Sequence, residues 1–272
     1  MSDHFSLKTI NHLQMKKLFR NSYLVYFFLL LTISCSKDNE DNGSENGTNP
    51  IPNQQLTGSS ANDFLSASKY DKIAFEIVYV EGYKPSTTSI NNLLSFFNEL
   101  LHKPQGVTIT ERAIPSPGNG PYTIQEIVEI EKKNRTKFNN VNELALYAFF
   151  ADSNYNTDNS TSVTLGTAYR NTSFVIFENT IIKQSNRPGA PSRPNLETAV
   201  LQHEFGHLLG LVDFGSDMQE DHLDKEHGFH CNVSTCLMFW QIESNLATSL
   251  LNGEIPKLDA HCLADLRANG GK

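Results

Sequence analysis

Apolar and polar positions follow clear periods from residue 69 onward. Lys72–Val80 is a nearly unbroken run of β-branched and aromatic residues and reads as a strand. Residues 90–101 place Ile90, Leu93, Leu94, Phe97, Leu100 and Leu101 at helical spacing, with Ser89 as the cap. Val107–Ile114 alternates like a strand and ends in Pro115-Ser116-Pro117-Gly118. Residues 123–133 predict a helix opened by a capping box between Thr123 and Glu126. A buried strand is expected over 144–151, then strands over 165–169 and 173–177 around an Arg170-Asn171-Thr172 turn. Residues 196–209 predict a long helix. From Leu211 the chain is loop-rich until a last helix over 258–268, which Gly270 and Gly271 stop. Strands alternating with helices predict an α+β (mixed α/β) fold. It has a twisted mixed sheet as an upper lobe, the long helix beneath it, and a loop-rich lower lobe ending in a helix.

The first 35 residues have a different pattern. Met15-Lys16-Lys17-Leu18-Phe19-Arg20 is basic, and the apolar run over 24–33 is too short to span a bilayer comfortably, so it reads as a signal-peptide core. Residues 1–14 precede that basic start and read as an upstream mis-start. Ser34-Cys35 resembles the lipobox of bacterial lipoproteins, with Thr32 where leucine is usual. The resemblance implies lipidation at Cys35 and an outer-membrane lipoprotein held to the membrane by its lipid anchor. Ser36-Lys37-Asp38-Asn39-Glu40-Asp41 resembles the acidic export tag of Bacteroidetes lipoproteins, which implies surface exposure; as a plain solvated linker it leaves the protein facing the periplasm. Residues 36–68 are expected to form a disordered tether, and 69–272 the folded domain. A hydrophobic content of 39% over 272 residues is enough for one substantial domain, expected as a monomer. The net charge of −8 argues against a nucleic-acid partner.

The chemistry concentrates in Gln202-His203-Glu204-Phe205-Gly206-His207-Leu208-Leu209-Gly210. Four residues apart on a helix, His203 and His207 project from one face and can share a Zn²⁺ ion. Glu204 sits beside them as a general base and then acid. Gly210 permits the left-handed turn that ends the helix and returns the chain towards the metal. The pattern His-Glu-x-x-His-x-x-Gly resembles the metzincins. His230-Cys231-Asn232-Val233-Ser234-Thr235-Cys236-Leu237-Met238 is similar to the archaemetzincin signature His-Cys-x4-Cys-x-Met. Surface lipoprotein metallopeptidases of Bacteroidetes carry a similar extended motif. The resemblance implies a metzincin-like fold, a zinc-dependent endopeptidase acting on polypeptides, and Met238 as the methionine of a Met-turn.

The chain departs from the archaemetzincin pattern at the third ligand, where Asp213 stands three residues after Gly210 and the His-Cys pair is delayed to His230-Cys231. Either His230 returns after an inserted loop over 214–229, or Asp213 ligates; His222 and His227 are further candidates. Carboxylate and imidazole both bind Zn²⁺ at about 2.0–2.2 Å, so the chemistry leaves the choice open. Archaemetzincins hold a second, structural zinc with four cysteines. Here Cys231, Cys236 and Cys262 remain, with His261 a fourth donor. Outside the cytoplasm a disulfide is expected ahead of a second zinc. In metzincins an edge strand pairs with the substrate, and residues 164–169, with Gly166, are the candidate. Tyr169 and Trp240 are candidates to orient a carbonyl or line a pocket. Two other functions fit the same motif: an inactive surface protein that binds polypeptides, and a zinc hydrolase of a non-peptide amide.

Overall fold

A computed structural model describes residues 51–244 and 254–272. The signal segment, Cys35 and the acidic run after it lie outside the described residues. The sheet has five strands, β1 (Lys72–Val80), β2 (Val107–Ile114), β3 (Glu143–Phe150), β4 (Gly166–Arg170) and β5 (Ser173–Ile176), in the order β2-β1-β3-β5-β4. β1 runs parallel to β2 and β3, and β3 parallel to β5; only β4 is antiparallel, paired to β5 across the expected turn. The expected mixed sheet is therefore present, with β4 at one edge.

The helices are α1 (Ala61–Leu65), α2 (Thr87–Leu100), α3 (Ile124–Asn134), α4 (Glu178–Ser185), α5 (Arg193–Leu208) and α6 (Ala260–Ala268). Side chains alternate across the sheet. Ile73, Phe75 and Ile77 share a core with α2 and α5, whereas Val78, Val80, Tyr147 and Phe149 pack with Ile127 and Ile130 of α3. Strands covered on both faces need apolar residues at successive positions, which is why β1 and β3 read as continuous runs.

Several boundaries differ from the sequence reading for identifiable reasons. Ser86, not Ser89, caps α2: its hydroxyl accepts from the Ser89 amide, and the Ser89 hydroxyl bonds Glu197 instead. The capping box of α3 forms as read, with Thr123 N donating to Glu126 Oε2 at 2.7 Å. Helix α5 starts at Arg193 because Ser192 caps it and Pro194 suits its first turn. Asp259 caps α6 through the Cys262 amide, so that helix opens at Ala260.

Order also begins upstream of Lys69. Phe64 and Leu65 of α1 are fully buried, and the Phe64 ring meets Phe205 edge-on at 5.3 Å. Asn53 is buried and donates to Asn139 Oδ1 at 2.7 Å and Thr172 Oγ1 at 3.1 Å. The polar composition of 51–68 hid these anchors, and the segment belongs to the fold rather than to a disordered tether.

Every residue of α5 from Leu196 to Leu208 is buried, so this helix is enclosed on all sides. Gly210 follows at φ 74°, and a Cβ there would lie 2.6 Å from the Ser216 amide nitrogen. The chain then enters the expected loop-rich region, where the one short helical turn among the described residues is the 3-10 turn Trp240–Glu243.

Candidate metal centre

Helix α5 brings His203 and His207 together with their Nε2 atoms 3.2 Å apart and their rings at right angles. His203 Nδ1 donates to the Leu237 carbonyl at 2.8 Å, which fixes the ring and leaves Nε2 bare. His230 joins them, its ring centroid 5.3 Å from His203 and 5.2 Å from His207. Its Nδ1 lies 2.7 Å from the Gly228 carbonyl, so its Nε2 also points inward.

Asp213 does not join this group. Leu211 and Val212 stay buried, and left-handed backbone at Val212 and Asp213, φ 53° and 69°, turns the carboxylate to solvent. The chain comes back through a third left-handed residue, Phe229 at φ 54°, whose ring stacks on Phe214 at 4.1 Å. The inserted loop is thus clasped at its base, and His230 follows immediately. His227 takes no part either, because it pairs with Asp224 and stacks on Trp240 at 4.0 Å. Tyr169 lies in the core on the α3 side, away from the histidines.

Glu204 is fully buried, and neither carboxylate oxygen has a hydrogen-bond partner. Burial first, and the nearby Glu243 charge second, push its pKa well above the usual carboxylate range. Above Glu204 runs β4: a Cβ on Gly166 would lie 2.7 Å from Glu204 Oε1. Below the histidines Met238 is fully buried against Gly206.

Sequence reasoning missed Glu243. It ends the turn after Met238, with Oε1 3.4 Å from His230 Nε2 and Oε2 3.9 Å from His203 Nε2. Donor atoms of His203, His207, His230 and Glu243 all lie within 4.8 Å of one another. The only signal in the sequence was an acidic residue shortly after the Met-turn candidate. Burial holds the pKa of His203 down at about 4 and that of His207 well below the ordinary value, so both imidazoles are neutral and ready to ligate at pH 7. At His230 burial opposes the charge, but the Glu243 carboxylate outweighs it and raises the pKa. Three inward imidazole nitrogens, with His203 and His230 each held through Nδ1 from the far side, fit a Zn²⁺ ion.

A second cluster lies on the other side of the same loop. His222 Nδ1 is 3.4 Å from Cys231 Sγ and 3.9 Å from Cys262 Sγ, and its Nε2 is held by Asp265 at 2.7 Å. Cys231 Sγ donates to Asp259 at 3.2 Å, and Cys236 Sγ lies 3.6 Å from Cys262 Sγ. The three thiols are free. A disulfide needs about 2.05 Å between sulfurs, so the expected bond is not present among the described residues. Cys231 and Cys262 converge with His222 and Asp259 instead of closing as a pair. His222 therefore belongs here and not with His203. His261 stacks beside it at 5.6 Å without entering the cluster.

Fold and site together define a mixed α/β protein with two buried donor clusters of the kind that hold metal ions. No protein-family model and no curated protein matches the chain. Among solved structures it is similar to the crystal structure of archaemetzincin from Methanopyrus kandleri. That similarity has a TM-score of 0.49 at 14% identity and covers 73% of this chain and 96% of that one.

Proposed function

We infer that the chain is a zinc-dependent peptidase, with His203, His207 and His230 holding the metal and Glu204 as general base and then acid. The observation that carries this is the convergence of three buried imidazoles beside a buried carboxylate with no partner of its own. A zinc ion in that position supplies Lewis-acid polarisation and makes a water molecule acidic enough to react near neutral pH. Glu204 takes the proton of the attacking water and returns it to the leaving amine. β4 is an edge strand lying against Glu204, so an extended polypeptide can add to it through main-chain hydrogen bonds. The lipobox-like Ser34-Cys35 supports anchoring of this peptidase to the outer membrane by a lipid.

The second cluster supports a second, structural zinc. His222 Nδ1, Cys231, Cys262 and Asp259 offer four donors within 4.8 Å. The Asp265 carboxylate orients His222 as a metal-bound imidazole requires.

Purified protein loaded with zinc and offered denatured casein or gelatin tests the catalytic reading beside Glu204→Gln. Turnover by the parent and a loss of about 10²–10⁴-fold in the variant are expected. Equal turnover by both rejects Glu204 as the base. Zinc uptake without cleavage by either protein points to the polypeptide-binding or non-peptide alternatives.

A further inference from the structure

We propose that Glu243 is a fourth ligand of the metal at the histidine centre, closing it in the resting protein and leaving it when substrate arrives; this rests on the zinc reading above. A tetrahedral ion with bonds of about 2.0–2.2 Å needs donors about 3.3–3.6 Å apart. His203 to His207 is 3.2 Å, Glu243 Oε1 lies 3.4 Å from His230 and Oε2 3.9 Å from His203, and one donor atom from each of the four residues lies within 4.8 Å of the others, so the carboxylate stands beside the three imidazoles as a fourth donor.

Its position is built, not incidental. The Glu243 carbonyl accepts from the Leu165 amide at 2.8 Å, and Ser244 bridges to Thr164, so the segment is stitched to the approach of β4. The turn Trp240–Glu243 fixes it from the other side. Charge points the same way: three neutral imidazoles leave a buried dication uncompensated, and a carboxylate in the same shell removes half of that charge. Glu204 is not free for this role, since a ligating carboxylate no longer serves as a base.

Of the four side chains Glu243 is the least buried. It is 30% exposed, against 0% for His203 and 10% for His230. A hydrolytic metal needs an open position, so the carboxylate has to give way to substrate. The exchange substitutes one oxygen donor for another, and no electron changes hands. A peptide adding to β4 lies along the segment to which Glu243 is bonded, which links its arrival to the release of the carboxylate.

The test uses the full chain with Zn²⁺ and Co²⁺ as probes, comparing the parent with Glu243→Gln. Cobalt at this centre absorbs in the visible without the thiolate charge-transfer band that marks the cysteine cluster, so the two sites are read apart. Glu243→Gln is expected to weaken metal binding at the histidine centre by about 10-fold or more in chelator competition. It should also shift the visible cobalt spectrum, while the thiolate band stays unchanged and the metal-free protein still melts cooperatively. An unchanged affinity and cobalt spectrum in the variant, with the parent binding metal normally, overturns the proposal and leaves the peptidase reading intact. Failure of the parent to bind metal at the histidine centre overturns both.

Discussion

His230 and Cys231 are neighbours in the chain whose side chains enter different clusters, the imidazole joining His203 and His207 and the thiol joining His222 and Cys262. An antiparallel bridge between Leu223 and Cys231 fixes the backbone here, so that the two side chains leave it towards different clusters. Asp224 N donates to the His230 carbonyl at 2.7 Å, and Cys231 N donates to the Met238 carbonyl at 2.8 Å. The second cluster therefore positions a residue of the first. Cys262→Ser alters only the second cluster directly, yet it is expected to lower metal affinity at the histidine centre as well. A loss of about 10-fold, the scale seen when supporting groups of a metal site are removed, would appear in chelator competition. Unchanged affinity at the histidine centre, with the thiolate cobalt band gone, would show that the clusters are independent.

The choice between Asp213 and His230 can be tested by substitution. His230→Ala removes an inward donor and is expected to abolish stoichiometric zinc at that centre. Asp213→Asn is the matched control, because asparagine tolerates the left-handed backbone that aspartate adopts there. With the carboxylate in solvent, Asp213→Asn should change stability by less than about 0.5 kcal/mol and leave metal uptake intact. Metal content and denaturant melts of both variants decide it.

Local signals account for what was legible in the sequence. β1 and β2 were read to the residue, because β-branched and aromatic runs bounded by polar residues carry their own limits. The Thr123–Glu126 box and the His203–His207 pair are complete within a few residues. Other parts depend on partners distant in the chain. Helix α4 has Thr180 and Gln184 buried beside Ile181, so no apolar stripe marks it. Nothing near His222 announces Asp265, more than forty residues on, and Glu243 acquires its place only when its turn docks on Leu165. The third ligand was ambiguous for the same reason: the path of 214–229 is set by the Phe214–Phe229 stack and by buried Leu211 and Val212, none of which has a periodic signature.

Two glycines set the distance between Glu204, Met238 and their neighbours. A Cβ at Gly206 would lie 2.3 Å from Met238 Sδ; one at Gly166 would lie 2.8 Å from Glu204 Cγ and from Val200 Cγ1. Each alanine overpacks a filled interior, at a cost of about 1–3 kcal/mol. Their effects on function should differ. Gly166→Ala drives Glu204 from its place and is expected to reduce turnover far more than zinc affinity. Gly206→Ala pushes on the floor under His203 and His207 and is expected to weaken zinc binding. Side-by-side stability, affinity and turnover measurements separate the two; identical profiles would refute the assignment.

Acid should destabilise the metal-free protein through its buried histidines. His203 is held at about 4 in the fold, chiefly by burial, against 6.5 for the unfolded chain. Between those values the unfolded chain binds a proton that folded His203 refuses, so stability is complete above pH 6.5 and falls as pH drops towards 4. That shift corresponds to about 3 kcal/mol, and His207, depressed further, adds to it. Glu204 acts in the opposite sense, since a carboxyl raised by burial is relieved as pH falls. The measurement therefore belongs in the Glu204→Gln background, with chelator present and denaturant midpoints followed from pH 7.5 to 4. A steady decline across that window is expected, and His203→Asn in the same background should make it shallower, with His207 supplying what remains. Saturating zinc should steepen the decline instead, because protons then also compete with the metal for the imidazoles. A flat profile in the chelated Glu204→Gln protein would mean that the rings of His203 and His207 are hydrated, and the buried centre described above would be wrong.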